Sequence, residues 1–193
     1  MPLNADTLTA IALGIALSAA AGFRVFVPLL GASIASMAGW IQLPPEMSWM
    51  GGWTALICFA TAAFVEIAAY YIPFVDNLLD TIATPLAVAA GTLLAYSIFP
   101  PAENEAMVKW ILAFLAGGGS AGILQAGTGL LRLFSSKTTA GTGNAIVTTA
   151  ENTAAVASVS LSFIIPLIIA AILLLLILWI IMKITKRLFI PRS

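Results

Sequence analysis

Charge in this chain is confined to a few narrow zones. No Asp, Glu, Lys or Arg occurs from Thr7 to Phe23, Val25 to Pro45, Met47 to Val65, Thr81 to Ala102, Trp110 to Leu131 or Asn152 to Met182. Crossing a hydrocarbon core of roughly 30 Å takes about 20 mostly apolar residues, so each stretch is a candidate span. Only 8% of the 193 residues are charged and 61% are apolar, whereas about 25% of a soluble domain is charged. Spacing and composition together predict an all-α, polytopic transmembrane helix bundle forming a single integral membrane domain over residues 1–193.

The last uncharged stretch, with the small-residue segment before it, is too long for one crossing at about 1.5 Å per residue. It divides into a span near Asn144 to Ser160 and another near Ser162 to Met182, giving about seven spans. Charge placement tests this choice. With seven spans and the basic tail (Lys183, Lys186, Arg187, Arg192) in the cytoplasm, Arg24, Arg132 and Lys137 also lie inside, and Glu46, Glu103, Glu105 and Lys109 lie outside. Six spans, the alternative, would put Arg24, Arg132 and Lys137 outside. The Gly22-Phe23-Arg24 turn leaves almost no loop between the first two spans, so either of them is alternatively a tilted or re-entrant segment.

Composition removes several function classes. Lys+Arg and Asp+Glu both number 8, and the only basic cluster is the C-terminal tail, so no footprint for a nucleic acid exists. Histidine is absent, which removes the usual base near neutral pH and the commonest metal ligand. No metal site or cofactor is expected. The single Cys58 cannot form an internal disulfide. Without a Lys/Arg-rich n-region, the run from Leu8 reads as a retained span and not as a signal peptide. Trp40, Trp49, Trp53, Trp110 and Trp179 near span ends read as an interfacial belt, with a ligand-holding aromatic stack as the alternative.

Small residues gather where helices must touch, as in Ala19-Ala20-Ala21-Gly22 and Gly117-Gly118-Gly119-Ser120. Three successive glycines weaken a helix by about 1 kcal/mol each relative to alanine. Gly117, Gly118 and Gly119, with Pro28, Pro85 and Pro166, therefore predict Gly/Pro-interrupted helices, and such breaks at mid-membrane point to a transport site; simple kinks are the competing reading. A weak internal repeat is also expected, with units 8–99 and 108–182. Its basis is the likeness of Ala16 to Gly31 with Phe114 to Gly129, and of Asp76-Asn77 before Pro85 with Glu151-Asn152 before Pro166.

The remaining ionisable groups gather near one side of the predicted bundle: Arg24, Glu66, Asp76, Asp80, Arg132 and Glu151. An ionisable group in a membrane is by default a functional-site candidate with a partner. Asp76 and Asp80 share a helix face, although acids in a first turn are also explained by the helix dipole. Asn144, Thr148, Glu151 and Asn152 form a polar stripe at helical spacing that suits a pore lining. The competing reading of Thr148 to Glu151 is a capping box. Glu66 has no compensating charge within four residues. It is either a proton or cation site or part of a structural ion pair with Arg24 or Arg132.

The segments LGIALSAAAGFRVFVPLL, VEIAAYYIPFVDNLLDTIATPLAVAAG and TTAGTGNAIVTTAEN resemble a bacterial membrane family, the domain of unknown function 4126, over most of the chain. The resemblance picks out Arg24, Glu66, Asp76, Asn144 and Glu151, and implies the bacterial cytoplasmic (inner) membrane as location. Many members have a basic residue where this chain has Thr84 before Pro85, and many have proline where it has Ala145. That departure implies that Asp80 lacks a basic partner here.

Three functions compete. The first is a small-solute or ion transporter or channel, proton- or cation-coupled, whose pathway is Arg24, Glu66, Asp76, Asn77, Asp80, Arg132, Asn144, Thr148, Glu151 and Asn152. The second is a structural or accessory membrane protein that packs on a partner, or on itself as a homo-oligomer, through small-residue faces. The third is a membrane enzyme acting on lipid with a metal on Asp76 and Asp80. No nucleophile with a neighbouring general base supports it, so the chain is read as a non-enzyme whose partners are the lipid bilayer and a small solute or ion.

Overall fold

A computed structural model describes residues 4–100, 106–139 and 142–189. Among them are eight α-helices and no strand: α1 Ala5–Ala20, α2 Phe26–Met37, α3 Trp53–Ala69, α4 Pro73–Ile98, α5 Ala106–Leu112, α6 Gly119–Thr139, α7 Asn144–Ser162 and α8 Pro166–Phe189. A 3-10 helix, Pro45–Gly51, precedes α3, and a π-helical turn, Ala113–Gly118, joins α5 to α6. Local chemistry sets the boundaries. The Asn4 side chain accepts the Thr7 N–H at 2.8 Å and caps α1. Ile72 is extended before Pro73, which occupies the first turn of α4 where its missing N–H costs nothing. Gly39, with φ 76°, lets the chain turn away after α2.

The expectation of seven spans is corrected. Among the described residues, three helical stretches are long and apolar enough to cross a membrane: Leu78–Ile98, Ala106–Thr139 and Pro166–Lys186. A fourth exists if Pro45–Gly51 and Trp53–Ala69, bent by 61° at their junction, count as one. Charge-free stretches overstate helix length because turns lie inside them. The stretch from Val25 to Pro45 contains only the 12 residues of α2, and the stretch from Thr7 to Phe23 ends in a turn after the 16 residues of α1. At about 1.5 Å per residue these two helices fall short of a roughly 30 Å core. The Gly117-Gly118-Gly119 run does not break its helix but lies at a π-helical turn within it. Pro85 lies inside the continuous α4, whereas Pro166 opens α8 after the turn that follows α7. Glu103, Glu105 and Arg192 lie outside the described residues.

Helices α1, α4 and α6, with the π turn, form the centre of the bundle. Their contact is built from the smallest residues. A Cβ on Gly91 would stand 2.6 Å from the Gly117 carbonyl oxygen, and one on Gly117 would stand 2.4 Å from the Gly91 oxygen. Ser18 Oγ donates to that same Gly91 oxygen at 2.8 Å. A Cβ on Gly22 would meet the Ala121 oxygen at 2.5 Å. Backbones therefore approach to a separation that only glycine allows, the arrangement that drives helix association where lipid removes the hydrophobic incentive.

Gly119 meets nothing within 4 Å of an added Cβ, so neighbouring glycines should respond oppositely. Gly117→Ala should lower the thermal midpoint in detergent. Gly119→Ala, which gains up to about 1 kcal/mol of helix propensity, should hold or raise it. Melts of the two purified variants provide the comparison, and equal shifts would remove the close-packing account.

Candidate functional site

Five elements converge at one end of the bundle. The turn after α1 carries Arg24, the end of α3 carries Glu66 and leads to Tyr70, α4 begins with Asp76 and Asp80, α6 brings Arg132, and α7 contributes Asn144, Thr148, Glu151 and Asn152. Helical spacing explains the groupings: Asp76 and Asp80 lie one turn apart, as do Asn144 and Thr148, with Glu151 and Asn152 a further turn along.

Glu151 is the centre. Arg132 grips its carboxylate with a fork, Nε to Oε1 at 3.2 Å and Nη2 to Oε2. Arg24 Nη1 donates to the same Oε2 at 2.8 Å and to the Phe23 carbonyl at 2.7 Å. Its other donors go to Asn152 Oδ1 and the Thr148 carbonyl. Arg132 Nη1 reaches Asp80 Oδ1 at 2.8 Å and lies 3.5 Å from Asp76 Oδ1. Asp76 Oδ2 accepts from Asn144 Nδ2 at 3.2 Å, while its Oδ1 accepts no hydrogen bond among the described residues. Arg24, Asp76 and Arg132 are 1 to 2% exposed; the Asp80 side chain, at 24%, is the open member. The departure at Thr84 thus does not leave Asp80 unpaired, because Arg132 serves it from another helix.

Both guanidinium carbons also lie over the ring of Tyr70, at 4.1 Å for Arg24 and 4.0 Å for Arg132. Burial pushes the Tyr70 phenol up to about 12, so the ring stays neutral and presents its electron-rich face to the two cations. Thr148 Oγ1 donates to the Tyr70 carbonyl at 3.4 Å. Sequence reasoning missed Tyr70. The available signal was its position four residues after Glu66, on the same helix face and just ahead of the Pro73 boundary.

Glu66 makes none of the ion pairs found among the described residues and serves a helix end instead. Its carboxylate accepts the backbone N–H groups of Val25 at 2.8 Å and Phe26 at 3.0 Å, so a residue of α3 caps α2, which has no side-chain cap of its own. Beside it is a cleft of about 190 Å³ lined by apolar residues of α2, α3 and α4, with Glu66 and Tyr70 as its polar members. Thr148 and Glu151 do not form a capping box: α7 already begins at Asn144, and both side chains turn to partners on other elements. Asp76 does lie in the first turn of α4. The side chain of Asn77 lies outside the described ones. Gly117 to Gly119 pack against α4 or open space, away from the cluster. Among the described residues, no group of three or more carboxylates or cysteines is placed to hold a metal ion.

Removing one partner from a buried ion pair leaves the other charge uncompensated, typically at a cost of about 3–5 kcal/mol. Glu151→Ala strands Arg24, takes from Arg132 one of its carboxylate partners, and should destabilise the protein by that order. Lys186→Ala, on the exposed tail, should not. Denaturation of the two variants in one detergent checks this, and a Glu151→Ala protein as stable as wild type would contradict the geometry.

No curated protein and no solved structure matches the chain. A family model described as "Domain of unknown function (DUF4126)" matches residues 11–186, nearly the whole chain, and the chain belongs to that family.

Proposed function

We propose that this protein moves a proton or small cation across the bacterial cytoplasmic membrane through the cluster of Arg24, Asp76, Asp80, Arg132 and Glu151. The observation that carries the reading is a charge imbalance: three carboxylates share two guanidinium groups. An unbalanced charge at a buried site is costly, so the cluster is completed by one further positive charge. Asp80 is where that charge enters, because it is the exposed member.

Arg132 supplies the response. Its Nη1 stands between Asp80 at 2.8 Å and Asp76 at 3.5 Å. When a proton or cation neutralises Asp80, the pull on Nη1 from that side is lost and Asp76, with its free oxygen, takes the guanidinium. Glu151 and the Tyr70 ring hold the rest of the side chain in place during the exchange. Glu66, beside the 190 Å³ cleft, is a second carboxylate along the path. By the positive-inside rule, the end bearing Lys137, Lys183 and Lys186 faces the cytoplasm, and with it the C-terminus.

A second reading, an accessory protein that packs on a partner, is favoured by one observation. Arg24 places all of its nitrogens on protein acceptors, as a purely structural cation would.

Purified protein in liposomes separates the two. Wild type should dissipate a proton, Na⁺ or K⁺ gradient, and Asp80→Asn and Asp76→Asn should each cut the flux at least tenfold while Lys186→Gln leaves it unchanged. Flux no greater than in protein-free liposomes for all three ions, or flux indifferent to both Asp variants, overturns transport in favour of the accessory role.

A further inference from the structure

A groove of about 230 Å³ runs between the later parts of α6 and α8. It lies on the flank of the bundle and does not depend on the transport reading. Leu131, Phe134, Leu176, Trp179 and Ile180 are among its apolar lining residues, and Lys183 is its one charged residue. The two helices touch at Gly127, where an added Cβ would meet Ile180 Cδ1 at 2.7 Å. On α6 the lining extends from Leu124 to Phe134, ten residue steps or about 15 Å, which is half of a roughly 30 Å hydrocarbon core. The groove is therefore as deep as one leaflet.

The charge at its end is placed for a headgroup. Lys183 falls three residues before the end of the apolar stretch Pro166–Lys186. Its Nζ lies 4.4 Å above the Trp179 ring, and among the described residues no carboxylate pairs with it. A Trp and a Lys together mark the headgroup level.

The geometry points to a binding site for one anionic phospholipid, with an acyl chain in the α6–α8 groove and its phosphate on Lys183. The site is distinct from general lipid contact because it joins a leaflet-deep apolar slot to a cation at headgroup level that meets no carboxylate among the described residues. The groove also reaches Phe23, whose carbonyl holds Arg24, so an occupant braces the turn that delivers that arginine.

Native mass spectrometry of the intact protein, released from detergent containing equal phosphatidylglycerol and phosphatidylcholine, tests the site. Wild type should retain one phosphatidylglycerol with about a fivefold preference, the ratio expected for one cation at an anionic surface. Lys183→Gln should abolish the preference, Lys186→Gln should keep it, and Leu131→Trp, which fills the slot, should lose the retained lipid of either type. All three positions are exposed, and circular dichroism of each variant confirms that it is folded. Equal retention of the two lipids by wild type, or a preference that survives Lys183→Gln, overturns the site.

Discussion

One carboxylate oxygen, Glu151 Oε2, accepts from two buried arginines. Two guanidinium groups so close together in an apolar surrounding repel, and the carboxylate between them, the phenol ring under both and the aspartates beside Arg132 make the arrangement tolerable. Because the participants come from the α1–α2 turn, α4, α6 and α7, the same contacts that neutralise charge also fix how four elements meet. A neutral pair would leave the helices free to slide along small-residue faces. Buried charges with directional partners do not.

The small residues perform the complementary task. In lipid, apolar side chains have no preference for one another over acyl chains, so Gly91, Gly117 and Gly22 hold the centre by backbone proximity. Shape thus sets the distance between α1, α4 and α6, while charge sets their register. Glu66 extends the second principle to a helix end: a carboxylate forty positions along the chain satisfies the first amides of α2, so the short helix is held by its neighbour and not by its own cap.

Much of the site was legible because charge is scarce here. Arg24, Asp76, Asp80, Arg132 and Glu151 stand out against an apolar background, and helical spacing alone puts Asn144, Thr148, Glu151 and Asn152 on one face. The partners were less legible. Asp80 meets Arg132 and Glu66 meets two backbone amides, contacts between elements that local spacing does not encode. Tyr70 was missed because an aromatic at a helix end is ordinary; only the three-dimensional approach of two arginines gives it a role. The number of spans was overestimated for a different reason. The interval between charges measures where charge is forbidden, and turns such as Ala21 to Arg24, whose amides bond back into the end of α1, satisfy their backbone without needing charge.

The π-helical turn at Ala113–Gly118 acts on rotation. An α-helix advances about 100° per residue, and a π turn accommodates one extra residue, so everything after it is rotated by about 100° relative to an uninterrupted helix. Lys109 and Ala113, before or at the start of the turn, are buried, and so is Arg132 beyond it. Counted straight through, the nineteen positions from Ala113 to Arg132 would leave the arginine about 100° off that inward face; with one residue absorbed they return it to phase. The glycine run is therefore a phase corrector: it determines the side of its own helix on which the guanidinium, about fourteen residues later, emerges.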